Sequence, residues 1–195
     1  MTVLVTPERE DEAMNVVYDE SKFIELLLYV AERLRPDRAG GATKLNKVLF
    51  FADFAHVRRA GSPISGAAYQ KLPQGPAPRR LRPIRDALIS SGVATVVREE
   101  FLGYELHRLV PLRPADVSVF SDAELATIEQ VLADLDGLNA RQVSDLSHAE
   151  AGWRLVQDGD EIPYEAALVG ARQVPTATSR RLERDVAERH GLLPA

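Results

Sequence analysis

The stretch from Thr43 to Gly75, TKLNKVLFFADFAHVRRAGSPISGAAYQKLPQG, constrains this chain more than any other. Leu45, Val48, Leu49, Ala52 and Ala55 recur at three- and four-residue spacing, which places them on one face of a helix. Phe50, Phe51 and Phe54 widen that face, so the helix is expected to be covered on more than one side. Thr43 is the expected N-cap, Gly61 the expected stop, and Pro63 follows where the helix cannot continue. Tyr69 to Leu72 reads as extended. Pro73-Gln74-Gly75-Pro76 is a loop fixed by two prolines around one glycine. Whatever the fold, an apolar helix must be followed at once by a tight turn, an aromatic-bearing extended segment and a rigid loop.

The elements on either side fit a mainly helical α+β domain. A first helix is expected over about 22–35, capped by Asp19 or Ser21, with Phe23, Leu26, Leu27, Val30, Ala31 and Leu34 on its apolar face. After the loop, a basic helix is expected over about 78–91. Its mid-helix Pro83 would cost roughly 3 kcal/mol, unless the helix starts near Arg82 with the proline in its first turn. Val93–Arg98 and Tyr104–Val110 read as a β-hairpin turning at Phe101-Leu102-Gly103. Ser121-Asp122-Ala123-Glu124 and Asn139-Ala140-Arg141-Gln142 are two capping boxes. The first opens a helix over about 122–135, with Leu125, Ile128, Val131, Leu132 and Leu135 inward. The second opens a short helix, and Ser147–Glu150 then starts a further turn. Trp153, with Val143, Leu146, Leu155 and Val156 around it, is expected as a core anchor.

Two pieces of the chain together resemble the Panacea domain of SocA-like antitoxins. The first is the helix Lys44, Leu45, Lys47, Val48, Leu49, Phe50, Phe51, Ala52, Asp53, followed by Pro63, Ile64, Ser65, Tyr69, Gly75 and Pro76. The second is Leu146-Ser147-His148-Ala149-Glu150 with Trp153. They stand in the family's order, and the resemblance covers roughly Phe23 to Leu168. It departs from the usual pattern at Val48, where leucine is common. Lys44, Leu45, Lys47, Phe51, Ala52, Asp53, His148 and Trp153 are then expected to serve the fold. The resemblance implies an antitoxin that neutralises a cognate toxin by direct binding, with the toxin encoded by a neighbouring gene. It also implies an adaptor role that hands the toxin to a Clp-type protease. An acidic arm over 1–20, in which Val3-Leu4-Val5 could add an edge strand, is expected before a domain at 21–170. A linker and charged helix over 171–195 are expected after it.

Charge distribution supplies the candidate interface. The net charge of the 195 residues is −5, yet residues 36–85 hold ten Lys/Arg against Asp37 and Asp53. The remainder carries fourteen basic against twenty-seven acidic residues. Arg79, Arg80, Arg82 and Arg85 form the densest cluster, and the arginine fork pairs well with carboxylate or phosphate. With Tyr69, Gln74, Gly75 and Pro76 of the loop, they are the candidate partner-binding residues. A helix, turn, helix and hairpin also outline a winged helix, so a DNA-binding transcriptional regulator is the alternative.

Enzymatic readings find little footing. The chain has no cysteine, and no G-x-S-x-G elbow or phosphate-loop spacing is present. His56, His107, His148 and His190 lack metal-ligand spacing, so no catalytic residue, metal or cofactor is expected. No run approaches the ~20 apolar residues of a membrane span. No signal peptide is read, and a reducing cytoplasmic setting is expected.

Overall fold

The computed structural model describes residues 14–101 and 103–169. The edge strand expected at Val3–Val5 and the charged helix expected near 180–190 lie outside the described residues.

Asp19 starts the first helix, α1 (Glu20–Arg33), by accepting the Lys22 backbone N–H at 2.9 Å. Of the two expected caps it is the one used. Phe23, Leu26, Leu27, Leu28 and Val30 lose all solvent exposure on this helix. The central helix, α2 (Ala42–Ala60), begins two residues earlier than a Thr43 cap would dictate, with Gly41 at the N-cap. Close packing decides this start: a Cβ at Gly41 would meet Leu106 Cγ at 2.7 Å. Arg108 also holds the loop before α2, donating to the carbonyls of Leu34, Asp37 and Gly40 at 2.7, 2.9 and 3.1 Å. Gly61 ends α2, its N–H bonding to Val57 O.

A small sheet follows. β1 (Tyr69–Gln70) lies between β2 (Ala77–Pro78) and the later β5 (Glu161–Ile162), antiparallel to both. Pro78 therefore belongs to a strand and not to the helix behind it. That helix, α3 (Leu81–Ser90), carries Pro83 in its first turn, where the missing N–H has no intrahelical partner to lose. Ile84 and Leu88 are buried, whereas Ile89 is exposed. The hairpin of β3 (Ala94–Phe101) and β4 (Tyr104–Pro111) is longer than its β-branched core suggested. Phe101 belongs to the strand and not to the turn. The hairpin packs on α1 through β4 and on α3 through β3.

Both capping boxes form. They open α4 (Asp122–Asp134) and α5 (Ala140–Ala149). α5 runs unbroken through Ser147 and His148, where a new turn was expected. The break comes at Glu150, whose extended backbone leads into α6 (Ala151–Leu155). A 3-10 turn at Tyr164–Leu168 closes the described chain onto α2 and α6. One core runs from Phe23 to Ala167. Lys44, Lys47 and Asp53 of α2 are buried within it.

Candidate functional site

The sequence KLNKVLFFADF puts three charged side chains on the covered faces of α2, and each has a separate task. Asp53 has no exposure. It accepts the Ser65 N–H at 2.7 Å, the Ser65 hydroxyl at 2.6 Å and the Tyr69 hydroxyl at 2.8 Å. Burial pushes its carboxyl up, opposed by those donors. This node fixes the turn after α2 and the start of β1. Tyr69 itself is fully buried, edge-on to Phe50 and Phe54, with its hydroxyl driven far above its ordinary range by burial. A residue with no exposed surface cannot meet a partner, so Tyr69 is corrected from candidate contact to core.

Lys44 pairs with Asp37 at 2.5 Å and donates to Leu138 O at 2.9 Å, tying the loop before α2 to the loop before α5. Lys47 donates to Pro76 O at 3.0 Å. Burial lowers its ammonium to about 8. Gly75 sits directly over Lys47 with φ +92°, a conformation that favours glycine. A Cβ there would meet Ser147 Oγ at 2.4 Å and Lys47 Cε at 2.7 Å. Gly75 and Pro76 are buried, leaving Pro73 and Gln74 as the exposed crest of the loop.

The other side of the loop is held by α5 and α6. Ser144 Oγ donates to Gln74 O at 3.1 Å, Trp153 Nε1 to Leu72 O at 3.4 Å and Lys71 Nζ to Val156 O at 2.9 Å. The His148 ring stacks on Trp153, centroids 4.1 Å apart and planes 20° apart. Lys71 Nζ lies 4.2 Å from the Trp153 ring centroid, a cation–π contact. His148 stands in the last turn of α5, not at the start of a new turn, and its ring packs on Trp153. Its Nε2 is buried without a hydrogen-bond partner among the described residues. Its pKa is lowered, first by burial and then by Lys47. Trp153 is half-buried and clamps the loop from outside the core. Its expected neighbours Leu146 and Leu155 are 46% and 69% exposed.

The arginines lie beside this loop. Arg79 donates to Gly159 O at 2.9 Å. Arg80 pairs with Glu20 at 3.0 Å and lies over the Tyr18 ring. Arg85 pairs with its neighbour Asp86 at 2.8 Å. Arg82 is exposed and has no ion-pair partner among the described residues. Phe51 is half-buried, and Leu45 and Ala52 are core.

Lys47, Gly75 and Trp153 of the motif meet at this loop, while Lys44 and Asp53 anchor the segments on either side of α2, and a comparison with known families names the pattern. The family model described as antitoxin SocA-like, Panacea domain, matches residues 45–154. The chain belongs to this family. No curated protein and no solved structure matches it. The matched span runs from Leu45 on α2 to Arg154 on α6, so it contains the Panacea loop and the elements that grip it from both sides. Sequence reasoning grouped Lys44 and Lys47 with the structural residues but missed what each holds, and it missed Arg108 entirely. Lysines flanking Leu45 and Val48 on a helix covered on both sides were the available signal. Arg108 had none, because its carbonyl partners lie some seventy residues away. No helix of the described residues is long and apolar enough to cross a membrane.

Proposed function

We propose that this Panacea-domain protein is the antitoxin of a toxin–antitoxin pair and neutralises a cognate toxin by direct, non-enzymatic binding. The toxin is the product of a neighbouring gene, and both act in the cytoplasm. The folded unit we assign is 21–170, and Met14, Val16 and Tyr18 of the stretch before it pack against its core. The observation that carries the reading is family membership together with the loop: Lys47, Ser144 and Trp153 hold the backbone from Leu72 to Pro76, with Gln74 exposed. A preorganised loop loses little conformational entropy on binding. The contact surface assigned is Gln74 with Arg79, Arg80, Arg82 and Arg85, the backbone of Gly75 and Pro76 acting from behind. Its charge suits an acidic patch on the toxin. Delivery of the bound toxin to a Clp-type protease is a second use of the same complex.

DNA binding through a wing is the weaker reading. The β3–β4 hairpin carries Glu99, Glu100 and Glu105 on its exposed positions beside Arg98, and these would face phosphate.

Co-expression with the neighbouring gene product is the test. The two proteins are expected to co-purify, and Arg82→Glu with Arg85→Glu is expected to abolish co-purification without lowering the melting temperature. Retention of the partner by this variant would remove the assigned surface. A salt-sensitive shift of the upstream DNA, with no partner retained, would favour the regulator.

A further inference from the structure

A second surface is apolar and open among the described residues. One turn along α2 from Lys47, Phe51 and Ala55 face Val131 of α4, Leu135 at its C-cap and Leu146 of α5. Together with Val169 they line an open groove of about 670 Å³. Leu146 is 46% and Val169 55% exposed, values high for aliphatic side chains in a shared hollow. The rim carries both signs of charge. Arg58 pairs with Glu150 at 3.0 Å, and Arg154 and Asp134 stand opposite one another in sign.

Val169, on the wall of this groove, is also where the described residues end, and twenty-six residues follow it. Their sequence places Leu182 and Val186 four apart, then Leu192-Leu193, among Arg180, Arg181, Glu183, Arg184 and Asp185. Four-residue spacing is what a groove between helices accepts from an amphipathic segment. The mixed charges around the pair match a rim of both signs. A connector of about twelve residues spans roughly 20 Å, so Leu182 reaches any part of a groove that begins at Val169. Tethering holds the segment at an effective concentration of order mM, enough to seat a weak binder.

We propose that this groove is the docking site of the chain's own C-terminal segment, residues 170–195, seated through Leu182 and Val186. The groove shares no lining residue with the Gln74–Arg85 surface, and the seat does not depend on the function assigned above.

The absence of cysteine makes the test direct. In the full-length chain, Leu146→Cys places a single thiol in the groove, and Val97→Cys places a control thiol on the exposed hairpin. Maleimide labelling at Leu146→Cys is expected to quicken about tenfold when Leu182→Asp and Val186→Asp are added, as a tethered occupant is lost. Labelling at Val97→Cys is expected to stay the same. Paired Leu146→Cys and Val186→Cys are expected to form an intramolecular disulfide under mild oxidation. Equal labelling rates with both tails would overturn the proposal. So would protection that grows with protein concentration, or a disulfide found only between molecules, since either would seat a second copy in the groove.

Discussion

Gly75 is the residue on which the loop site turns. It needs a positive φ and leaves no room for a Cβ between Ser147 Oγ and Lys47 Cε. Gly75→Ala therefore combines backbone strain with a clash at a buried cation. It is expected to cost about 2 kcal/mol or more in urea unfolding. Lys47 beneath it gives the site a pH signature. Its folded pKa is about 8 against an ordinary 10.5, so above pH 8 the unfolded chain binds more protons than the folded one. Stability from this group consequently rises with pH across that window. Between pH 7 and 9.5 the gain is about 1–2 kcal/mol. Lys47→Met is expected to flatten that rise, which paired melts at the two pH values would read. A parent protein that loses stability relative to Lys47→Met over this interval would contradict the burial of the ammonium. Arg108 acts at the same scale on the other flank. Arg108→Ala leaves three carbonyls without their donor and is expected to cost about 2–4 kcal/mol by urea denaturation.

At the scale of elements, local chemistry was the legible part. Ser121/Glu124 and Asn139/Gln142 could be read as caps because a capping box lies within four residues, and both formed. Ser121→Ala is expected to cost about 1 kcal/mol, read from the thermal midpoint. Helix starts that depend on distant packing were not legible. Thr43 looked the better cap, yet Leu106 and Arg108 of the hairpin favour Gly41 from some sixty residues away. Trp153 failed for the same reason. Its apolar neighbours in sequence suggested a core, but α6 is a single short helix that leaves Leu155 in solvent and lays the indole against His148, Lys71 and Leu72 O. Trp153→Ala is accordingly expected to cost less than the ~3–5 kcal/mol of a fully buried aromatic. Its larger effect falls on the loop: faster amide exchange at Leu72 to Gly75 is expected, while α1 exchange stays unchanged. Equal acceleration in α1 would restore the core role.

For the whole molecule, the sequence motif and the fold describe the same object from two sides. Lys47 of α2, Gly75 of the loop, Ser147 of α5 and Trp153 of α6 are far apart in the chain and meet around Leu72–Pro76. The family could be read from the sequence, while the reason for its residues could not. The arginine cluster shows the remaining gap. Spacing grouped Arg79, Arg80, Arg82 and Arg85, but the tertiary fold engages Arg79 with Gly159 O and Arg80 with Glu20, and Arg85 pairs with its neighbour Asp86. The central claim is neutralisation by contact, and growth rescue tests it most directly. Cells expressing the neighbouring gene product are expected to grow when the parent protein is supplied. They are expected to arrest when it carries Arg82→Glu and Arg85→Glu at equal abundance and an unchanged melting temperature. Full rescue by that variant, with its binding to the toxin shown to be lost, would contradict direct neutralisation.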